Sequence, residues 1–395
     1  MGRKNLRQVY LYKPGRVVTS LVKLHPVGSY FDTEEKAGLA HLSEHLLYCG
    51  TKTRNNDKLQ LDLHRLGINF NAYTDYDYVV QYFQYHNAVK NEAEALINEM
   101  FETATFDKEK FETEKKVVLQ EAIVRQDNPL IYISDLINEK RNKGTGYGIC
   151  AVGSEEGISK ISMDDIKNWI KNAHKNTAVE IMIGGEMNKA KSVPKNSSIK
   201  ITYPEIVETS IRVQEEINRK DMNGVDFIWQ WDHKPLSIVT DKEWYTMAML
   251  QSMLCSAYGS IWMEIRERQG LAYRIGGGSS YSYGLGLFEI NGSTDKKNLK
   301  KLEDSLFKEL KKIVDGEFKK DIMKFHLESL RNKYLMVSES DISFAMQLTE
   351  MYYYGKENYL KNYLFGITQV TKEDVQILAK EIFEKEPSWI RALKK

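Results

Sequence analysis

Eight histidines serve a chain of 395 residues, and two of them stand four apart in "AGLAHLSEHLLYCGT", residues 37–51, with a glutamate between them. On a helix turning about 100° per residue, His41 and His45 lie about 40° apart, and Glu44 falls on the same side. Two imidazoles on one face can take two corners of a zinc tetrahedron, while the adjacent carboxylate can hold and deprotonate a water at an open corner. Zinc brings the pKa of such a water down to about 7, which supplies hydroxide at neutral pH. Leu39, Ala40, Leu42, Leu46 and Leu47 make this helix apolar almost all round. It should therefore be buried, where an unpaired glutamate is expensive. The structural alternative is a core helix whose histidines and glutamate hydrogen-bond only to one another.

A catalytic zinc needs a third protein ligand, and "FETEKKVVLQEAIV" offers two. Glu114 and Glu121 are seven residues apart, hence within about 20° of each other on a helix. The same projection puts them on the flank of Val117, Val118 and Val124, and carboxylates on an apolar flank want a cation. A salt bridge to a nearby lysine would also satisfy them, and spacing does not choose between the two glutamates.

Two similar halves must position these groups. Alternation over residues 9–31 implies antiparallel strands, followed by a helix from about Thr33 to Cys49 and another across "NDKLQLDLHRLG". "INFNAYTDYDYVVQYFQYH" alternates on either side of "TDYD" and reads as a hairpin, with helices near 90–103 and 107–126 after it. A capping box from Ser162 to Asp165 opens a helix to about Ala173, and the strand "AVEIMIGG" closes the half. Residues 192–204, polar and flanked by prolines, read as the linker. The order then recurs: the strand "DFIWQWDH", a helix across "WYTMAMLQSMLCSAYGSIWMEIRER", a two-strand unit, and helices over 297–355. A last helix opens at a capping box, Thr371 to Asp374, before the strand "SWIRAL". The expected class is α+β: two similar domains, 1–195 and 205–395, each an antiparallel sheet with helices packed against it.

Composition removes several functions. A net charge of +1, from 56 basic and 55 acidic residues well interspersed, gives no field to hold nucleic acid or an anionic membrane. No signal-peptide core opens the chain and no apolar run approaches about 20 residues, so a cytoplasmic location is expected. Cys49, Cys150 and Cys255 are widely spaced and read as small buried hydrophobes of a reducing compartment. "GGGSSYSYGLG" lacks the Gly-Lys-Ser/Thr ending of a phosphate loop.

Taken together, these segments resemble the pitrilysin and insulinase family of zinc metallopeptidases, whose inverted motif is His-x-x-Glu-His. The resemblance covers nearly the whole chain. "GLAHLSEHLLYCGT" looks like the zinc helix, "NAYTDYDYVVQYF" like the substrate-facing hairpin, "EKKVVLQEAIVRQDNP" like the third-ligand helix, and "IRERQGLAYRI" like the second-domain signature. It implies that His41, His45 and Glu121 ligate zinc, that Glu44 is the general base, and that Glu114 orients a ligating histidine. It further implies that Asn71 and Ala72 contact an extended peptide added to a sheet edge. Arg266 and Tyr273 then reach from the second domain to the substrate backbone and the tetrahedral oxyanion.

The second half has no His-x-x-Glu-His, so one zinc per chain is expected. The implied activity is that of a zinc endopeptidase acting on peptides or unfolded segments in a cleft between two domains. The short, two-domain form implies a partner subunit, giving a homodimer or a heterodimer with a paralogous chain. Two alternatives are a non-catalytic peptide-binding or scaffold subunit of a larger assembly, and a processing peptidase dedicated to a leader or precursor peptide. Metal content separates the first from the peptidase reading.

Overall fold

A computed structural model describes residues 7–175, 179–185, 203–207, 210–220 and 223–394. Apart from Tyr203 and Pro204, the expected linker at 192–204 lies outside the described residues. Ten strands form two five-stranded sheets. In the first half they are β1 (Arg7–Tyr12), β2 (Val18–His25), β3 (Asn69–Thr74), β4 (Val79–His86) and β5 (Val179–Gly184). The second half supplies β6 (Gln214–Asn218), β7 (Val225–His233), β8 (Ala272–Tyr281), β9 (Gly286–Thr294) and β10 (Ser388–Leu393).

The helices of the first half are α1 (Leu39–Leu46), α2 (Asn56–Arg65), α3 (Lys90–Glu102), α4 (Lys108–Asp127), α5 (Pro129–Arg141), α6 (Glu155–Lys160) and α7 (Met163–Lys175). Those of the second are α8 (Asp241–Cys255), α9 (Leu299–Val314), α10 (Lys320–Glu339), α11 (Asp341–Tyr354), α12 (Glu357–Lys361), α13 (Tyr363–Gly366) and α14 (Lys372–Phe383).

The sheets run β1-β5-β2-β4-β3 and β6-β10-β7-β9-β8, the same order twice. Neighbouring strands are antiparallel except at one edge of each sheet, where β1 pairs with β5 and β6 with β10 in parallel. The α+β reading and the internal repeat both hold.

The compact units are not contiguous in sequence. One comprises residues 1–124, 145–204 and 337–357, the other 125–144, 205–336 and 358–395. Each therefore takes one helical segment from the other half. Burial shows why: every residue of β2 after Val18 and the first seven of β7 are buried, a pattern that requires cover on both sheet faces. In the first unit, helices α2 and α3 pack Leu59, Leu63, Leu96 and Ile97 onto Leu21 and Phe83, while α11 lies against β2 and β5. In the second, α5 packs Ile133 and Ile137 onto Ile228 and Ile390, and α8, α9 and α14 share the larger core around Phe227, Trp229 and Phe288.

Local chemistry sets the helix ends. The Ser162 hydroxyl accepts from the Asp165 N–H at 3.2 Å, as the capping box requires, and Thr371 does the same for Asp374. α5 was not expected from periodicity, but its start carries a local signal: Asn128 caps Leu130 and Ile131, with Pro129 in the first turn. The expected helix from Thr33 to Cys49 is shorter, a single turn at Glu34–Lys36 followed by α1. Gly38 between them sits at φ +101°, a left-handed backbone that ends one segment and starts the next. The long helix expected through "CSAYGS" also breaks, into α8 and a π-helical segment, Trp262–Arg268. No described helix is long and apolar enough to cross a membrane.

Candidate metal centre

α1 is held from its first turn. The buried Asp32 carboxylate accepts the backbone N–H of Gly38 at 3.0 Å and of Ala40 at 3.2 Å, groups that no preceding helical turn can satisfy. Leu42 and Leu46 anchor the other flank against Phe111, Val118 and Ala122 of α4 and Ile158, Ile161 and Ile166 beyond it. With those leucines directed inward, the remaining face carries His41, Glu44 and His45. Their helix is buried, as its apolar surroundings imply: Glu44 is only 7 % exposed.

The two imidazole rings lie 4.8 Å apart at a steep mutual tilt. Oε2 of Glu121, from α4, stands 3.7 Å from Nε2 of His41 and 3.9 Å from Nε2 of His45. One ligand atom from each of the three residues falls within 4.8 Å of the others, and they form the one such cluster found among the described residues. Two ligands about 2.0–2.1 Å from one tetrahedral ion stand about 3.3 Å apart. Separations of 3.7 and 3.9 Å, too long for hydrogen bonds, suit a shared cation after a small side-chain adjustment. The donor set of two imidazoles and a carboxylate fits zinc.

Glu114 faces elsewhere. Its Oε2 lies 3.2 Å from Nδ1 of His45, and its Oε1 is 2.7 Å from the Lys110 ammonium. The His45 hydrogen bond, with Lys110 beside it, holds the Glu114 carboxyl down at about 2. When the His45 ring is neutral, an ionised Glu114 accepting from Nδ1–H turns the Nε2 lone pair toward Glu121. The two glutamates that spacing left equivalent thus differ in position. Their valine flank is only partly buried: Val118 is, whereas Val117 and Val124 are exposed.

Glu44 accepts a hydrogen bond at 2.7 Å from the hydroxyl of Thr74, the last residue of β3. Burial pushes its carboxyl above the ordinary range, while Thr74 and the neighbouring His45 oppose that shift. Burial alone would lower the His45 imidazole, but the Glu114 hydrogen bond and the charges of Glu44, Glu114 and Glu121 outweigh it and raise it. Thr74 and Asp32 are absent from the sequence-derived site. A threonine at the end of a strand gives no local sign that its hydroxyl meets a glutamate 30 residues away.

β3 forms the outer edge of its sheet. Asn71 is exposed on it and accepts the Ala72 N–H at 2.8 Å, and Ala72 is paired with Gln81 of β4 on the inner side. The hairpin tip is fixed where Asp75 and Tyr76 carbonyls accept from Ser29 and Tyr30 N–H groups at 3.0 and 2.9 Å. Gly28 permits this approach, since a Cβ there would lie 2.3 Å from both carbonyl oxygens.

Arg266 and Tyr273 belong to the second unit. The Arg266 guanidinium lies over the Trp262 ring at 4.1 Å and 5.9 Å from the centre of the Tyr273 ring. A register shift between Ala272 and Arg274 leaves Tyr273 out of the ladder, and it is 87 % exposed. The three cysteines are free thiols; burial pushes Cys49 and Cys255 up to about 12, so neither is a poised nucleophile.

Known proteins resemble the chain over both of its halves. Residues 9–150 match the family model described as insulinase, peptidase family M16, and residues 160–330 match that described as the peptidase M16 inactive domain. An uncharacterized zinc protease of Rickettsia felis is 23 % identical over 368 residues, spanning 90 % of this chain and 88 % of the relative. Another, YmxG of Bacillus subtilis, is 22 % identical over 363 residues with the same coverage. The human mitochondrial-processing peptidase subunit beta is 26 % identical over 158 residues, 40 % of this chain and 32 % of that one. Among solved structures, a protease from Helicobacter pylori superposes with a TM-score of 0.87 over 100 % of this chain and 98 % of its own, at 16 % identity. That likeness shows the shared fold.

Proposed function

The chain belongs to the insulinase family, peptidase family M16, and we propose that it is a zinc-dependent endopeptidase acting on peptides or unfolded segments. The observation that carries this reading is the convergence of His41, His45 and Glu121 beside a buried Glu44 on the same helix as both histidines. These three residues would hold one zinc ion per chain. That number is supported by the match of 160–330 to a domain called inactive. Zinc in such a donor set supplies a water acidic enough to attack at neutral pH and a Lewis acid for the scissile carbonyl.

The chain's own groups do the remaining work. Glu44 takes the proton from the attacking water and returns it to the departing amine, the task of a general base that becomes a general acid. Glu114 holds the His45 ring so that Nε2 serves as the ligand atom. The β3 edge, through Asn71 and Ala72, receives the substrate backbone as an added strand, which fixes register while reading sequence weakly. Arg266 and Tyr273 donate to the developing oxyanion, a role for which a cation and a phenol are suited.

A partner chain, identical or paralogous, is part of the proposal, and the relative named as a beta subunit supports it. Sedimentation of the purified protein tests it. For the activity itself, dialysed protein is expected to carry about one zinc per chain and to cleave a quenched peptide library. Zinc near zero even after zinc addition, or retention unchanged in His45→Ala, overturns the centre; a zinc-loaded protein that cleaves nothing overturns the peptidase.

A further inference from the structure

We propose that Thr74 is a positioning residue for Glu44, holding the base through the strand on which the substrate is laid; this rests on the peptidase reading above. The Thr74 hydroxyl donates to Oε2 of Glu44 at 2.7 Å. A carboxylate in a dry site can turn about its terminal bond and present either oxygen. Engaging Oε2 stops that rotation and leaves Oε1 as the oxygen that receives the proton.

The strand is rigid enough for the task. Thr74 pairs with Val79 at the start of β4, and the tip beyond it is tied to Ser29 and Tyr30 by backbone hydrogen bonds. One residue back, on the opposite face, the Tyr73 hydroxyl donates to Glu350 of α11 at 2.8 Å. β3 is thus pinned at its end and on its far face, and the β-branched Thr74 side chain has little freedom of its own. Ala72, proposed to meet the substrate, lies two residues away and points to the same side of the strand as Thr74. One strand would then set both the substrate register and the orientation of the base.

The test compares Thr74→Val, which keeps the shape and loses the hydroxyl, with Thr74→Ser, which keeps the hydroxyl. In the zinc-loaded protein Thr74→Val is expected to lower kcat about 10- to 100-fold with KM and zinc content unchanged, and Thr74→Ser to restore most of it. A second measurement needs neither metal nor activity. In metal-free protein, Thr74→Val should lower Tm by about 2–4 °C, and that loss should vanish in a Glu44→Ala background, where no carboxylate remains to be held. Wild-type kcat in Thr74→Val, a Thr74→Ser variant no better than Thr74→Val, or the same Tm loss in both backgrounds overturns the inference. If the zinc-loaded wild type cleaves nothing, the peptidase reading falls by itself, and the Tm comparison still decides whether Thr74 holds Glu44.

Discussion

Glu44 and Glu121 are the same residue type in very different places, one 7 % exposed and beside a hydroxyl, the other with its side chain 49 % exposed and facing two imidazole nitrogens. Their amide variants should therefore fail differently. Glu44→Gln is expected to keep its zinc and lose peptide hydrolysis by about 10²-fold or more, because an amide cannot accept the water's proton. Glu121→Gln should instead lower zinc content, as seen by elemental analysis, and lose activity in proportion. Glu114→Gln leaves the ligands intact but weakens the acceptor that fixes His45, so its zinc affinity should drop about 10- to 100-fold in a chelator competition.

At the scale of elements, α1 depends on Asp32. Removing that carboxylate leaves the buried N–H groups of Gly38 and Ala40 without their acceptor, a loss of about 1–3 kcal/mol. Asp32→Ala is expected to lower the denaturation midpoint and, because His41 follows Ala40 directly, to weaken zinc retention. Asp32→Asn keeps an acceptor and should fall between. The β3–β4 hairpin carries a pH dependence of its own. Burial, reinforced by the charges of Asp77 and Glu350, raises the Asp75 carboxyl from 3.8 to about 6. A carboxyl raised in the fold contributes stability that is fully present below its ordinary pKa and lost as pH climbs through the raised one. Asp75→Asn cannot ionise, yet it can still accept the Tyr76 N–H. Its Tm is expected to exceed that of the wild type at pH 7.5 and to match it near pH 4, whereas a constant difference across that window would contradict the assigned shift.

For the whole molecule, the exchanged segments decide what can be cut apart. A fragment of residues 1–195 contains its complete sheet and all the proposed zinc ligands, but it lacks α11, whose Ala345, Leu348 and Tyr353 are buried in the first unit. Losing that cover exposes apolar sheet surface, so the fragment is expected to aggregate or to melt well below the full chain in circular dichroism. Arg266→Ala removes only a side chain of the second unit. It should lower peptide turnover about 10²-fold with zinc content unchanged, and full turnover in that variant would remove Arg266 from the catalytic apparatus.

The sequence by itself determined what depends on neighbours along the chain. A five-residue motif fixed two imidazoles and a carboxylate on one helical face, alternation around "TDYD" fixed the hairpin, and Ser162 and Thr371 fixed two helix starts. Each of these is a matter of backbone period or of a side chain reaching its own next turn. Tertiary structure decided the rest. Glu114 and Glu121 share a helical face to within about 20°, and only the approach of α1 sends one to Nδ1 of His45 and the other to both Nε2 atoms. Thr74 and the exchange of α5 and α11 left no periodic trace for the same reason. Their partners are brought close by the folding of distant segments onto two sheets that need cover on both faces, and that pairing is a property of the closed chain.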